Sequence, residues 1–200
     1  MRQARWKGER RMADEVDYGT LVPAAAAGDR DAAQRILAAV HPQVVRYCRL
    51  RLGADGVVSP EDVAQEISLA VIAALPRYED RGRPFMAFVY GIASHKVADA
   101  RRNGGRDLSH AVAEVPEAPD PEADPLQRVL TMDGGNEVRR LLDALGERAR
   151  DIIILRVFGG YSAEETGAIV GATAGAVRVA QHRALAKMRA ILEEEAEVPR

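Results

Sequence analysis

The stretch that decides the fold runs from Tyr161 to Leu192, YSAEETGAIVGATAGAVRVAQHRALAKMRAIL. It reads as two short helices around a tight turn. Ser162 can cap the first helix, and Glu165 three residues later completes a capping box. Ile169 and Val170 supply its apolar contact, and Gly171 ends it. Thr173 can cap the second helix, in which Val177, Ala180, Ala184, Met188 and Ile191 recur at spacings of three and four and define one buried stripe. At about 100° per residue, Arg178, His182 and Arg189 share one flank of the exposed arc, and Val179, Arg183 and Lys187 continue around it. No carboxylate interrupts Thr173 to Leu192. An exposed arc of arginines without acids suits a major groove, where Arg reads guanine edges or holds phosphates. This is the layout of a helix-turn-helix DNA reader. A solvated amphipathic helix would explain the charges, but not the capped turn ahead of them.

Working outward, the chain is expected to be all-α, with two helical domains joined by a flexible, acidic, Pro-rich linker. Its 200 residues are 47% hydrophobic and only 4% aromatic, enough apolar material for packed helical cores. The expected boundaries are a basic, flexible extension over 1–17, a helical domain over 18–105, the linker over 106–136, the helix-turn-helix domain over 137–195 and a tail over 196–200. The linker carries Pro116, Pro119, Pro121 and Pro125 among acids, with few large apolar residues, a composition that stays extended. In the last domain one helix is expected through Leu145 and another through Phe158. No apolar run reaches transmembrane length and no signal peptide is legible, so a cytoplasmic protein without membrane insertion is expected. The single cysteine, Cys48, sits in an apolar helical pattern and is read as a packed thiol.

In the first domain, Ser59 followed by Pro60 makes a clear helix start. Val63, Ile67, Ala70, Val71 and Ala74 run along one face, with Asp62, Gln65, Glu66 and Ser68 off that stripe. A loop rich in Pro, Gly and Arg follows, from Pro76 to Pro84. The next helix opens at Pro84 and continues to about Asn103, carrying Phe85, Phe88 and Tyr90 at its start and His95, Lys96, Arg101 and Arg102 towards its end. Rings beside cations are what single-stranded nucleic acid needs, since bases stack on rings and phosphates need neutralising. Aromatics at helical spacing also form cores, and that alternative stays open for Phe85 and Phe88. Formal net charge is −2, odd for a protein that grips DNA unaided, because phosphate neutralisation supplies most non-specific affinity.

These segments, in this order, resemble the extracytoplasmic-function sigma factors of bacterial RNA polymerase, in an actinobacterial form. The resemblance spans roughly residues 18–192. Asp62-Val63-Ala64-Gln65-Glu66 resembles the family's core-binding motif. Phe85 to Ala93, continuing to Arg102, resembles its promoter-melting helix, and Thr173 to Leu185 its recognition helix. The family often has Trp where Phe88 stands and Asn where His95 stands. The resemblance implies a transcription initiation factor that docks on core RNA polymerase through Asp62, Gln65 and Glu66. It implies minus-10 promoter DNA bound by Tyr78, Arg81, Arg83, Phe88, Lys96, Arg101 and Arg102. Minus-35 DNA would be bound by Thr173, Arg178, Val179, His182 and Arg183. An anti-sigma factor is a further candidate partner. The rival expectation is a stand-alone dimeric helix-turn-helix regulator. Catalytic residues, a metal and a cofactor are not expected: His41, His95, His110 and His182 lack ligand spacing, and no nucleophilic constellation or phosphate-cradling loop is present.

Overall fold

A computed structural model describes residues 16–53, 58–104 and 133–196; among them every regular element is helical. The basic extension up to residue 15, residue 105, residues 106–132 of the expected linker and the last residues 197–200 lie outside the described residues.

The first domain is a stack of four helices. Helix α1 spans Tyr18–Ala26, its start capped by Asp17, which accepts from the Thr20 amide. Helix α2, Arg30–Leu52, is capped by Asp29, which accepts from the amides of Asp31 and Ala32. Helix α3, Pro60–Ala74, begins as expected, with Ser59 accepting from the Asp62 amide and Pro60 in the first turn, where its missing N–H costs nothing. After the short turn Leu75–Arg77, helix α4 covers Phe85–Gly104; the Pro84 carbonyl accepts its first helical bond, from the Ala87 amide. Ile36, Val40 and Val44 of α2 and Ile67 and Val71 of α3 meet Val89 and Val97 of α4 in a dry core. Cys48 is fully buried there, and burial pushes its thiol up to about 12.

Ser68 departs from the sequence reading. It lies off the apolar stripe yet is buried, donating to the Ala64 carbonyl at 2.8 Å and meeting His41 Nδ1 at 3.0 Å. A hydroxyl can be buried in this way because the previous turn of its own helix satisfies it.

The second domain is built from α5 (Asp133–Asp143), α6 (Glu147–Ile153), α7 (Ala163–Val170) and α8 (Ala174–Ala196). Helix α5 thus begins four residues ahead of the expected domain start. The helix expected through Phe158 changes winding on the way: α6 passes into a π-helical turn over Ile154–Phe158, closed by the Gly159 amide on the Ile154 carbonyl, a widening that periodicity does not reveal. Arg150 is buried between α5 and α6, its guanidinium donating to the carbonyls of Leu142 (2.8 Å) and Asp143 (3.0 Å). It satisfies the orphan carbonyls at the end of α5.

The domains pack on each other: α4 touches α7, and the main core continues from Ile36 and Val97 through to Leu142, Ile154 and Leu155.

Candidate nucleic-acid interface

The helix-turn-helix forms as its sequence dictates. Ser162 and Glu165 make the reciprocal capping box, and Gly171 ends α7 in the left-handed conformation at φ 67°. Thr173 accepts from the Ala176 amide at 3.2 Å. Gly167 carries a signal that the sequence reading passed over: the Ala172 amide bonds its carbonyl, and a Cβ on it would lie 2.5 Å from the Ala172 carbonyl oxygen. Only glycine lets the turn fold back so closely.

On α8, Val177 and Ala184 are buried, whereas Ala180, Met188 and Ile191 are half-buried, so the stripe is narrower than expected. Arg178, Val179, His182 and Arg183 are all exposed, on one continuous arc. Arg178 pairs with Glu164 of α7 at 2.5 Å. The hydrogen bond of its own amide, with that pairing second, holds the Glu164 carboxyl below its ordinary value. Arg156 Nε donates to Gln181 Oε1 at 2.9 Å and its guanidinium also reaches the Tyr161 carbonyl, tying α8 to the turn before α7. Lys187, also on the exposed arc, donates to the Ala144 carbonyl at 2.7 Å.

The second candidate surface lies on the loop before α4. A cavity of about 370 Å³ opens there, lined by Arg77, Tyr78, Glu79, Arg81, Arg83, Pro84, Ala87 and Phe88. Four of the seven residues expected to bind minus-10 DNA, namely Tyr78, Arg81, Arg83 and Phe88, are brought together; sequence reasoning missed Arg77 and Glu79. The aromatic alternatives are resolved by burial. Phe85 and Tyr90 belong to the core, while Phe88 and Tyr78 are half-buried and meet edge to face, with centroids 5.0 Å apart. Partial burial, with Asp80 nearby, raises the Tyr78 phenol, which therefore stays a hydrogen-bond donor.

Lys96, Arg101 and Arg102 lie further along α4, outside that cavity, and each has an acid beside it. Lys96 pairs with Glu66 of α3 at 2.9 Å, Arg101 with Asp143 at 3.1 Å and Arg102 with Asp99. Asp62, Gln65 and Glu66 form an exposed polar edge of α3, next to Leu69, which is 63% exposed. Leu69 is the one large apolar side chain exposed on α3 among the described residues, and periodicity alone does not single it out. Among the described residues no helix is long and apolar enough to cross a membrane.

Residues 36–107 match the family Sigma-70 region 2, and residues 141–190 match Sigma-70, region 4. The two surfaces therefore sit on the two regions that together define a sigma factor. The chain is 52% identical over 171 residues to the ECF RNA polymerase sigma factor SigD of Mycobacterium tuberculosis, covering 84% of this chain and 81% of the relative. It belongs to the extracytoplasmic-function sigma factors of the actinobacterial type, and so is an alternative sigma factor directing transcription initiation. In fold it is similar to CnrH, solved in complex with the cytosolic domain of CnrY, at a TM-score of 0.64 and 24% identity, covering 89% of this chain and 97% of CnrH. It is also similar to the sigma factor RpoE of Bartonella quintana, solved in complex with the anti-sigma factor NepR, at 0.56 and 21%, covering 80% and 96%. Two sigma regions in one chain displace the rival reading of a stand-alone dimeric regulator.

Proposed function

We propose that the chain divides promoter recognition between the two surfaces and borrows its affinity from the polymerase. Asp62, Gln65 and Glu66 dock on basic helices of the core enzyme's largest subunit, with Leu69 packing in the same contact. Arg178, His182 and Arg183 enter the major groove of the minus-35 element, Val179 packs against it, and Thr173 and the amides at the start of α8 hold a phosphate. Tyr78, Arg81, Arg83 and Phe88 receive an unstacked base of the minus-10 non-template strand, with Lys96, Arg101 and Arg102 on its phosphates. The observation that carries this reading is the convergence of two rings and three arginines on one cavity of about 370 Å³, within the size range of small-molecule sites.

Docking on a larger enzyme also accounts for a DNA reader of net charge −2: the polymerase supplies the non-specific grip that this chain lacks. The protein works in the cytoplasm, where that enzyme is. An anti-sigma factor is a further partner under this reading, in keeping with the RpoE fold captured with NepR. The test is reconstitution with purified core polymerase. Glu66→Ala is expected to weaken core binding and lower transcription from every promoter, whereas Arg178→Ala weakens only promoters that depend on the minus-35 element. Core affinity unchanged by Glu66→Ala would refute the docking assignment.

A further inference from the structure

The exposed arc of α8 carries no carboxylate from Thr173 to Leu192, yet one reaches it from another element. Glu164, in the first turn of α7, accepts from Arg178 Nη2 at 2.5 Å. Its neighbour Glu165 is taken up by the capping box with Ser162, so Glu164 stands outside the cap. Of the residues assigned to minus-35 DNA, Arg178 alone has a carboxylate partner among the described residues. The pairing does little for the fold: the two side chains are 60% and 64% exposed, and ion pairs of that kind contribute little to stability. A carboxylate in this place also opposes DNA binding, because it faces phosphates whatever the sequence. Its surroundings are nevertheless firm. The Ala172 amide closes on the Gly167 carbonyl at 2.8 Å, which sets the start of α8 against α7. Arg156 Nε donates to Gln181 Oε1 at 2.9 Å, three residues beyond Arg178, and its guanidinium reaches the Tyr161 carbonyl just ahead of α7. Glu164 and Arg178 therefore meet across a tied frame. The Glu164 amide first, then Arg178 and the charge of Arg156, hold the carboxyl below its ordinary value, so it stays an acceptor.

We infer that Glu164 is a positioning residue for promoter reading: it anchors one end of the Arg178 guanidinium so that the opposite edge meets a guanine of the minus-35 element. This rests on the minus-35 assignment of Arg178 above. Only Nη2 is engaged by Glu164, and the rigid fork keeps free donors for O6 and N7, the two acceptors that guanine presents together in the major groove. An unanchored arginine serves a guanine or any nearby phosphate, and a phosphate contact adds affinity without choice of sequence. An anchored one stays with its carboxylate when the base is wrong. The anchor also tightens on contact, because charges attract more strongly once water has left the groove. Glu164 thus lowers affinity for wrong sequences and widens the margin for the right one, and specificity is that difference.

The experiment uses holoenzyme reconstituted with the full chain and a promoter library whose minus-35 element is randomised, the bound fraction being sequenced. Gel-shift titration of the best guanine promoter and of its adenine counterpart then gives absolute affinities. Wild type is expected to prefer guanine at one position by about 5–150-fold, the range of a two-point contact, and Arg178→Ala to lose that preference. Glu164→Ala should lower the ratio at that position by at least about threefold, with the adenine promoter bound more tightly than by wild type and preferences at other positions kept. Should Glu164→Ala lose helical content by circular dichroism, Glu164→Asp decides: it keeps a charge in the first turn of α7 but stops short of Nη2, so the ratio should again fall. A purely structural Glu164 weakens all sequences by one factor, and that result from a folded variant overturns the inference. A position that depends on Arg178 but selects another base overturns it too. If Arg178→Ala abolishes the guanine preference and the Glu164 variants leave it intact, only the positioning role falls. If Arg178→Ala alters no base preference, the minus-35 assignment of that arginine falls and takes the positioning role with it.

Discussion

Helices α2 and α8 are each 23 residues long, and they are held in opposite ways. Helix α2 sinks Ile36, Val40, Val44, Tyr47, Cys48 and Leu50 into the core; α8 buries only Val177 and Ala184. The first is a spine, and the loop it supports ahead of α4 is the one assigned to minus-10 DNA in the proposed function. The second is itself the proposed reader of minus-35 DNA, and most of its surface is exposed. Its seat depends on turn chemistry and on a few polar ties, namely the capping box of α7, the close approach at Gly167, the Arg156–Gln181 bond and the Lys187 bond to Ala144. A helix that presents its residues to a groove gives up burial and is positioned by its ends and its neighbours instead.

That contrast can be broken by substitution. The largest effect is expected at Ile36→Ala, which empties a fully buried site on α2 and should cost about 2–5 kcal/mol, read by urea denaturation. Cys48, pushed up to about 12 by burial and so poorly reactive in the native protein, should then become accessible to alkylation. Gly167→Ala comes next. Its Cβ meets the Ala172 carbonyl, and a shift of the turn should cost about 1–3 kcal/mol, with hydrogen exchange rising in α7 and α8 before it rises in α2. Equal loosening of both helices would erase the distinction. Ser162→Ala removes one cap and should cost about 1 kcal/mol, again confined to the second domain.

The smallest effect concerns pH. Burial alone would raise the Glu61 carboxyl, but the Arg49 hydrogen bond at 2.5 Å, with the Glu61 amide and Ser59, outweighs it and holds the group below its ordinary value. A lowered carboxyl contributes stability above its unfolded value, about 4.3, and that contribution is lost as pH falls through the folded one. The pair is partly exposed, so salt should weaken the effect. Thermal melting of wild type and Glu61→Gln should converge as pH drops from 6 to about 3, and a constant gap across that range would remove the pair from the account.

What the sequence made legible was local. The caps at Ser59, Ser162 and Thr173, the stop at Gly171 and the buried Cys48 each depend on residues a few positions apart, and each is found in the structure. The cavity residues were half legible, since Tyr78, Arg81, Arg83 and Phe88 share one loop and helix start. Which rings serve the core was not, because periodicity cannot tell Phe85 from Phe88. Contacts between distant segments left no trace at all. Tyr47 and Asp151 meet across 104 positions, Tyr161 and Gln43 across 118, and each reads alone as an ordinary half-polar residue. The buried Arg51 and Arg150 were hidden for the same reason, since their partners are supplied by the fold.

The division of labour between a loop reader and a helix reader is tested most directly by permanganate reactivity of minus-10 thymines in holoenzyme complexes, read beside footprinting of the minus-35 element. Phe88→Ala should abolish most of the thymine reactivity, at about 1–3 kcal/mol for a stacked base, and leave minus-35 protection intact; Arg178→Ala should weaken protection first. Loss of both signals together, whichever residue is changed, would contradict the account.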